Sequence, residues 1–208
     1  MIKNLKRRNC PISIKLVPNG AQFLTFEMNA NGESFCFSPS SVVGEQFGEF
    51  LSALYGLFLD DNGTEYFSRK YLSDEDHVIH TVITKVSWDN EGEDIDIVMS
   101  RKIVQNPDFE NERIVIEFRC YDTILKKYDV NTKDLCYAVA KACTEALKTY
   151  GIYGYRHSTE HDFFKLHQLL YIKAFAIGAF EAIELLTEDG FVYRTSFEKE
   201  MELLLFDM

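Results

Sequence analysis

The sequence predicts an α+β fold: a mainly antiparallel, curved sheet with one early helix and a C-terminal helical layer. Three observations predict it. Apolar residues alternate with period two over much of the first 121 residues. One stretch at helical spacing interrupts that alternation around Phe47. From Asn131 onward the spacing is helical almost throughout. A chain of 208 residues suits one domain, since folding at that size buries roughly 70% of the unfolded surface. We therefore expect a single α+β domain over residues 1–208, sheet-rich over 11–121 and helical over 131–208.

The first strand is expected at Ile12, Ile14 and Leu16, which alternate with polar neighbours. Asn19-Gly20 then supplies two residues that tolerate positive φ, a strong hairpin signal before Phe23 to Phe26. Ser34 to Phe37 reads as a third strand. Ser38 to Ser41 offers capping hydroxyls for a helix that carries Val43, Phe47, Phe50, Leu51, Leu54 and Phe58 and stops at Asp60-Asp61-Asn62-Gly63. Gly44 and Gly48, one turn apart, would let that helix pack closely on the sheet.

Between Thr64 and Tyr121 four antiparallel strands are expected, each with one buried face. Val78, Val82, Val86 and Trp88 share a face, as do Ile95, Ile97 and Met99, and then Ile114, Ile116, Phe118 and Cys120. Asp89-Asn90-Glu91-Gly92-Glu93 is read as the turn between the first two sets. Asn131-Thr132 caps a helix with Leu135, Val139, Cys143 and Ala146 inward, closed by Gly151. A second, deeply buried helix is expected from Ser158-Thr159 towards Leu186. A short strand at Phe191 to Tyr193 and a short helix over Phe197 to Phe206 follow.

Twenty-two Lys and Arg stand against 33 Asp and Glu, a net charge of −11. That balance argues against nucleic acid as a partner, because phosphate contacts need clustered bases. The imbalance is local. Residues 44–112 hold five bases and sixteen acids, whereas residues 1–43 are net positive and residues 113–208 carry −3. The densest acids are Asp89, Glu91, Glu93, Asp94 and Asp96, which mark a candidate acidic surface for a basic partner.

The most apolar run, Leu169 to Phe180, is about half the length that spans a bilayer and contains Lys173. The basic N-terminus lacks the apolar core of a secretory signal. Cys10, Cys36, Cys120, Cys136 and Cys143 are odd in number and scattered, as expected of reduced thiols. A cytoplasmic protein without a cofactor is the resulting expectation.

His157-Ser158-Thr159-Glu160-His161 spells H-x-x-E-H, in which two histidines four apart on a helix hold zinc and the glutamate activates water. Against it, Thr159 and Asp162 form a capping box that starts a helix inside the motif. A zinc hydrolase using His157, Glu160 and His161 is therefore the rival reading, not the leading one. His77 and His80 beside Asp74-Glu75-Asp76 read as a solvated strand end, and His167 as a core or rim histidine.

Residues 43 to 121 resemble uncharacterised small bacterial α+β proteins. The likeness lies in the helix Phe47-Gly48-Glu49-Phe50-Leu51-Ser52-Ala53-Leu54, the strand end Val86-Ser87-Trp88-Asp89, and the hairpin through Asn90-Glu91-Gly92-Glu93 into Asp94 to Arg101. Some proteins of that kind are immunity proteins against delivered toxins. The resemblance implies a bacterial, non-catalytic protein that binds a protein partner, such as a basic toxin, and it carries over no site residues. A third reading is a structural or oligomerisation module that makes contact through Phe197 to Phe206.

Overall fold

A computed structural model describes residues 9–18, 24–38, 46–58, 68–72, 78–90, 93–104, 111–159, 165–183, 186–188 and 192–208. The fold is α+β with antiparallel pairing throughout, as the sequence predicts. The strands divide among three sheets, of three, five and two strands, in place of one continuous sheet.

The first sheet contains β1 (Ser13–Pro18), β2 (Leu24–Ala30) and β3 (Glu33–Phe37). Period-two alternation buries Ile14 and Leu16 on β1 and Phe26, Met28 and Ala30 on β2. Asn19-Gly20 lies outside the described residues. The tight turn between β2 and β3 is Asn31-Gly32: φ is 56° at Asn31 and 77° at Gly32, and Ala30 pairs directly with Glu33. Two consecutive positive φ values make this the hairpin turn that Asn-Gly adopts most readily.

The first helix, α1 (Gln46–Gly56), ends earlier than the sequence predicts. Backbone bonds from Leu57 and Phe58 to Leu54 and Tyr55 tighten its last turn, before the acidic stop is reached. Phe50, Leu51 and Leu54 are fully buried by it.

The five-stranded sheet runs in chain order: β4 (Ser68–Leu72), β5 (Val78–Asn90), β6 (Glu93–Val104), β7 (Arg113–Cys120) and β8 (Thr123–Asn131). β8 is absent from the sequence expectation. Along Thr123–Asn131 only Tyr128 and Val130 are buried, so its period-two signal is too short to read. Tyr121 takes the left-handed conformation (φ 52°) that lets Cys120 pair with Thr123.

The inward faces of the two larger sheets meet at Phe26. Its ring lies 5.6 Å from Trp88, 5.7 Å from Phe50 and 5.9 Å from Phe118. Tilted and edge-on pairs of this kind add about 0.5–1.5 kcal/mol each beyond their burial. At the far end of β6, buried Arg101 donates to Leu57 O (2.8 Å) and to Glu112 Oε1 (2.9 Å), and its guanidinium covers Phe58 at 4.8 Å. That ion pair ties the end of α1 to the sheet.

The helical layer starts with α2 (Thr132–Thr159), capped by Asn131 Oδ1, which accepts from Asp134 N at 3.1 Å. Gly151 (φ 67°, ψ 167°) ends the first helical stretch of this span, as the sequence predicts, and a second stretch follows it. Helical backbone resumes through Thr159, so the expected start near Ser158-Thr159 is corrected. The aromatic and polar residues Tyr153 to Thr159 carry no 3.6-residue apolar stripe to announce that extension.

The next helix, α3, spans Leu166–Ile177 and ends at Gly178, which is left-handed (φ 70°). Ala179 N bonds Ala174 O (2.8 Å), and Gly178 N bonds Phe175 O (3.3 Å), a Schellman closure. The sequence predicts helix up to Leu186 because apolar residues continue. Instead a 3-10 turn (Phe180–Ala182) and the short strand β9 (Leu186–Glu188) follow. β9 pairs with β10 (Val192–Arg194), and α4 (Phe197–Leu205) closes the chain with Ser196 accepting from Lys199 N.

Buried Lys173 on α3 locks this last segment in place. Its ammonium donates to Thr144 Oγ1 (3.0 Å), Leu204 O (3.0 Å) and Phe206 O (2.8 Å). All three of its donors are used, two of them on carbonyls left open by the end of α4. Burial, with Lys148 nearby, lowers its pKa to about 8.

Candidate functional site

Two regions have the features of a recognition surface. The first is the acidic β5–β6 hairpin. Its register places Asp89 opposite Asp94 and Asn90 opposite Glu93, so the strands meet within the predicted span, whose Gly92 lies outside the described residues. Glu93 and Asp94 are exposed, while Glu91 lies outside the described residues. Asp96 points to the same face as Asp94 but is engaged within the fold. Ser87 Oγ donates to its Oδ1 at 2.6 Å, and Lys85 Nζ lies 2.7 Å from its Oδ2.

The five predicted acids are therefore not equivalent. Asp96 is neutralised internally, whereas Asp94 faces an aspartate position across the strand pair. Like charges directly opposite each other destabilise a sheet. Farther along the same outer face, Glu117 is flanked by Lys127 (2.7 Å) and Arg119. The Lys127 hydrogen bond, helped by Arg119, holds its carboxyl below the ordinary carboxylate range despite burial. Acids are paired with bases at the middle of this face, and Glu93 and Asp94 are exposed at its hairpin end.

The second region is a cleft of about 720 Å³ between α1, α3, the 3-10 turn and α4. Tyr55 from α1 and Tyr171 from α3 meet edge-on at 4.9 Å, and Tyr171 meets Phe180 at 5.8 Å. Ser52 Oγ donates to Gln168 Oε1 at 2.9 Å in the interior and so fixes α1 against α3. The polar lining comes from Glu181, Glu200, Thr195 and His167. Thr195 Oγ1 donates to Glu200 Oε1, which orients that carboxylate.

His167 sits exposed at the cleft mouth, edge-on to Tyr55 at 6.0 Å. Desolvation by the walls, with Lys165 adding to it, holds its imidazole below the ordinary histidine range. Burial also raises the Tyr55 hydroxyl above its ordinary value, so that hydroxyl stays protonated. Size, aromatic walls and a few converging polar groups are the usual marks of a small-ligand site.

The sequence reading missed this cleft. Its signal was Gly178: a helix stopped there places Phe180 and Glu181 on a turn facing α3, where a continuous helix would have carried them past it.

The remaining candidates are placed as follows. His157 lies in the helical stretch after Gly151, and Glu160 and His161 lie outside the described residues, as does His77. His80 is on β5. Among the described residues no three His, Cys, Asp or Glu side chains converge in a metal-binding arrangement. The five cysteines are free thiols; Cys136 and Cys143 are buried, and burial pushes the Cys136 thiol far up. On α4, Phe197 and Leu205 are 74% and 67% exposed, which leaves an apolar stripe on that helix. Among the described residues no helix is long and apolar enough to cross a membrane. Compared with known proteins, the chain matches no family model, no curated protein and no solved structure.

Proposed function

We propose that this chain is a non-catalytic binding protein of the immunity or antitoxin kind, which meets a basic protein partner through the tip of the β5–β6 hairpin. One observation carries the reading: the strand register sets position 89 opposite Asp94 at a hairpin end where Glu93 and Asp94 are exposed. Like charges held opposite one another cost the free protein stability. A partner that brings Lys or Arg between them relieves that cost and gains association rate from the complementary potential. Asp96, already paired with Lys85, contributes orientation of the strand more than free charge.

A toxin whose active site binds phosphate would present a matching basic surface. The test uses affinity capture from the native host with the intact protein and with a Glu93→Lys/Asp94→Lys variant, identifying bound proteins by mass spectrometry. The reading expects one basic protein retained by the wild type and lost with the double variant. Equal retention by both proteins discards the hairpin tip as the contact.

A further inference from the structure

The cleft beside α3 is independent of the hairpin and has its own chemistry. Three rings from three elements, Tyr55, Tyr171 and Phe180, form a continuous aromatic wall. Aromatic rings present negative faces, and a cation over such a face is attracted by about 0.5–2 kcal/mol, more as the site dries. Two carboxylates stand over this wall, Glu181 from the 3-10 turn and Glu200 from α4. No Lys or Arg lines the cleft among the described residues. Lys199 Nζ donates to Glu181 O at 3.3 Å.

A cleft negative in both its rings and its acids, yet mostly apolar, selects among cations. A bare metal ion or an unmodified ammonium is strongly hydrated and would lose that water against apolar walls. An ammonium that carries methyl groups loses little and adds apolar contact. We infer that the cleft between α1, α3 and α4 binds an alkylated ammonium group, its methyl groups against Tyr55, Tyr171 and Phe180 and its charge compensated by Glu181 and Glu200. Desolvation shifts the His167 imidazole towards its neutral form, which lessens opposing charge at the mouth.

Choline and its neutral isostere 3,3-dimethylbutan-1-ol differ in charge at nearly equal shape, so they isolate this effect. Calorimetric titration of the full chain is expected to show choline binding about tenfold more tightly than the isostere, the ratio that about 1.4 kcal/mol of charge recognition gives. Ring currents should move the choline methyl protons upfield in NMR spectra. A Glu181→Gln/Glu200→Gln variant, altered only at the cleft rim, should lose most of that ratio while still binding the isostere. A peptide carrying trimethyllysine presents the same group from a protein source, and the tighter of the two ligands identifies the source. Equal affinity for choline and the isostere would overturn the inference, as would no methyl shift with choline or a ratio unchanged in the double variant.

Discussion

Around Phe26 the chain is held by interlocking rings, whereas around Lys173 it is held by one ammonium and a small, mainly aliphatic cluster. In the first region Phe26, Phe50, Trp88 and Phe118 are fully buried, and the last three rings each lie within about 6 Å of Phe26. In the second the apolar cluster consists of Leu170, Ala174, Ala179, Ala182 and Leu203. At about 25 cal/mol per Å² of apolar surface, alanines contribute little however closely they pack. The C-terminal segment therefore depends on directed polar contacts: Lys173 on the last carbonyls, and Lys148 on Asp207 at 2.7 Å. The cleft lies in this second region. Its rings, Tyr55, Tyr171 and Phe180, line an open space, whereas the rings around Phe26 close on one another.

That contrast is open to direct challenge. The largest effect belongs to Phe26→Ala, which removes the ring shared by both sheets and α1. Urea denaturation should show a loss of about 3–5 kcal/mol, the range for a large buried aromatic cut to Ala. A loss as small as that of an alanine-sized contact would mean the two sheets do not depend on each other there.

Lys173→Met keeps the apolar stem but removes three donated hydrogen bonds, and about 1–3 kcal/mol should be lost as their acceptors go unpaired. Limited proteolysis near α4 should accelerate with it. The sign with pH is also fixed. Lys173 titrates at about 8 in the fold, below its ordinary 10.5, so the unfolded chain binds more protons between those values. Wild-type stability relative to the variant should therefore rise as pH climbs from about 8 towards 10.5. A variant more stable than wild type at pH 7 would show that apolar burial alone seats the C-terminal segment.

The smallest effect concerns the outer face of the sheet. Glu117 is held below its ordinary value of 4.5 by Lys127 and Arg119. Its contribution is fully present above that value and is lost as pH falls through the lower, folded value. Glu117→Gln should flatten the acid limb of the stability profile by about 0.5–1 kcal/mol, as befits a pair near the surface. An unchanged acid limb would remove this network from the account of the sheet.

Much of the fold was legible because period-two and 3.6-residue patterns are local. Ile95, Ile97 and Met99 announced β6, the stretch Phe197 to Phe206 was legible as the helix α4, and Asn131 announced the start of α2. Strand β8 was not legible, since its burial is supplied by contacts far away in sequence, such as Tyr128 under Met28. Nor was the end of α3, where an apolar run continues although the backbone turns at Gly178. Of the candidate sites, the acidic hairpin was readable from composition. The cleft was not, because Tyr55, Tyr171 and Glu200 come from three separate helices.

The sequence by itself determined the fold class, the antiparallel pairing and the confinement of negative charge to residues 44–112. Each follows from residue type and spacing within one segment. Only the tertiary structure decided which acids are free and which are spent. Asp94 and Asp96 are two residues apart on one strand, yet Lys85 and Ser87 reach only Asp96. Pairing across strands and convergence of helices depend on register and packing, which join residues whose separation along the chain holds no signal of their contact.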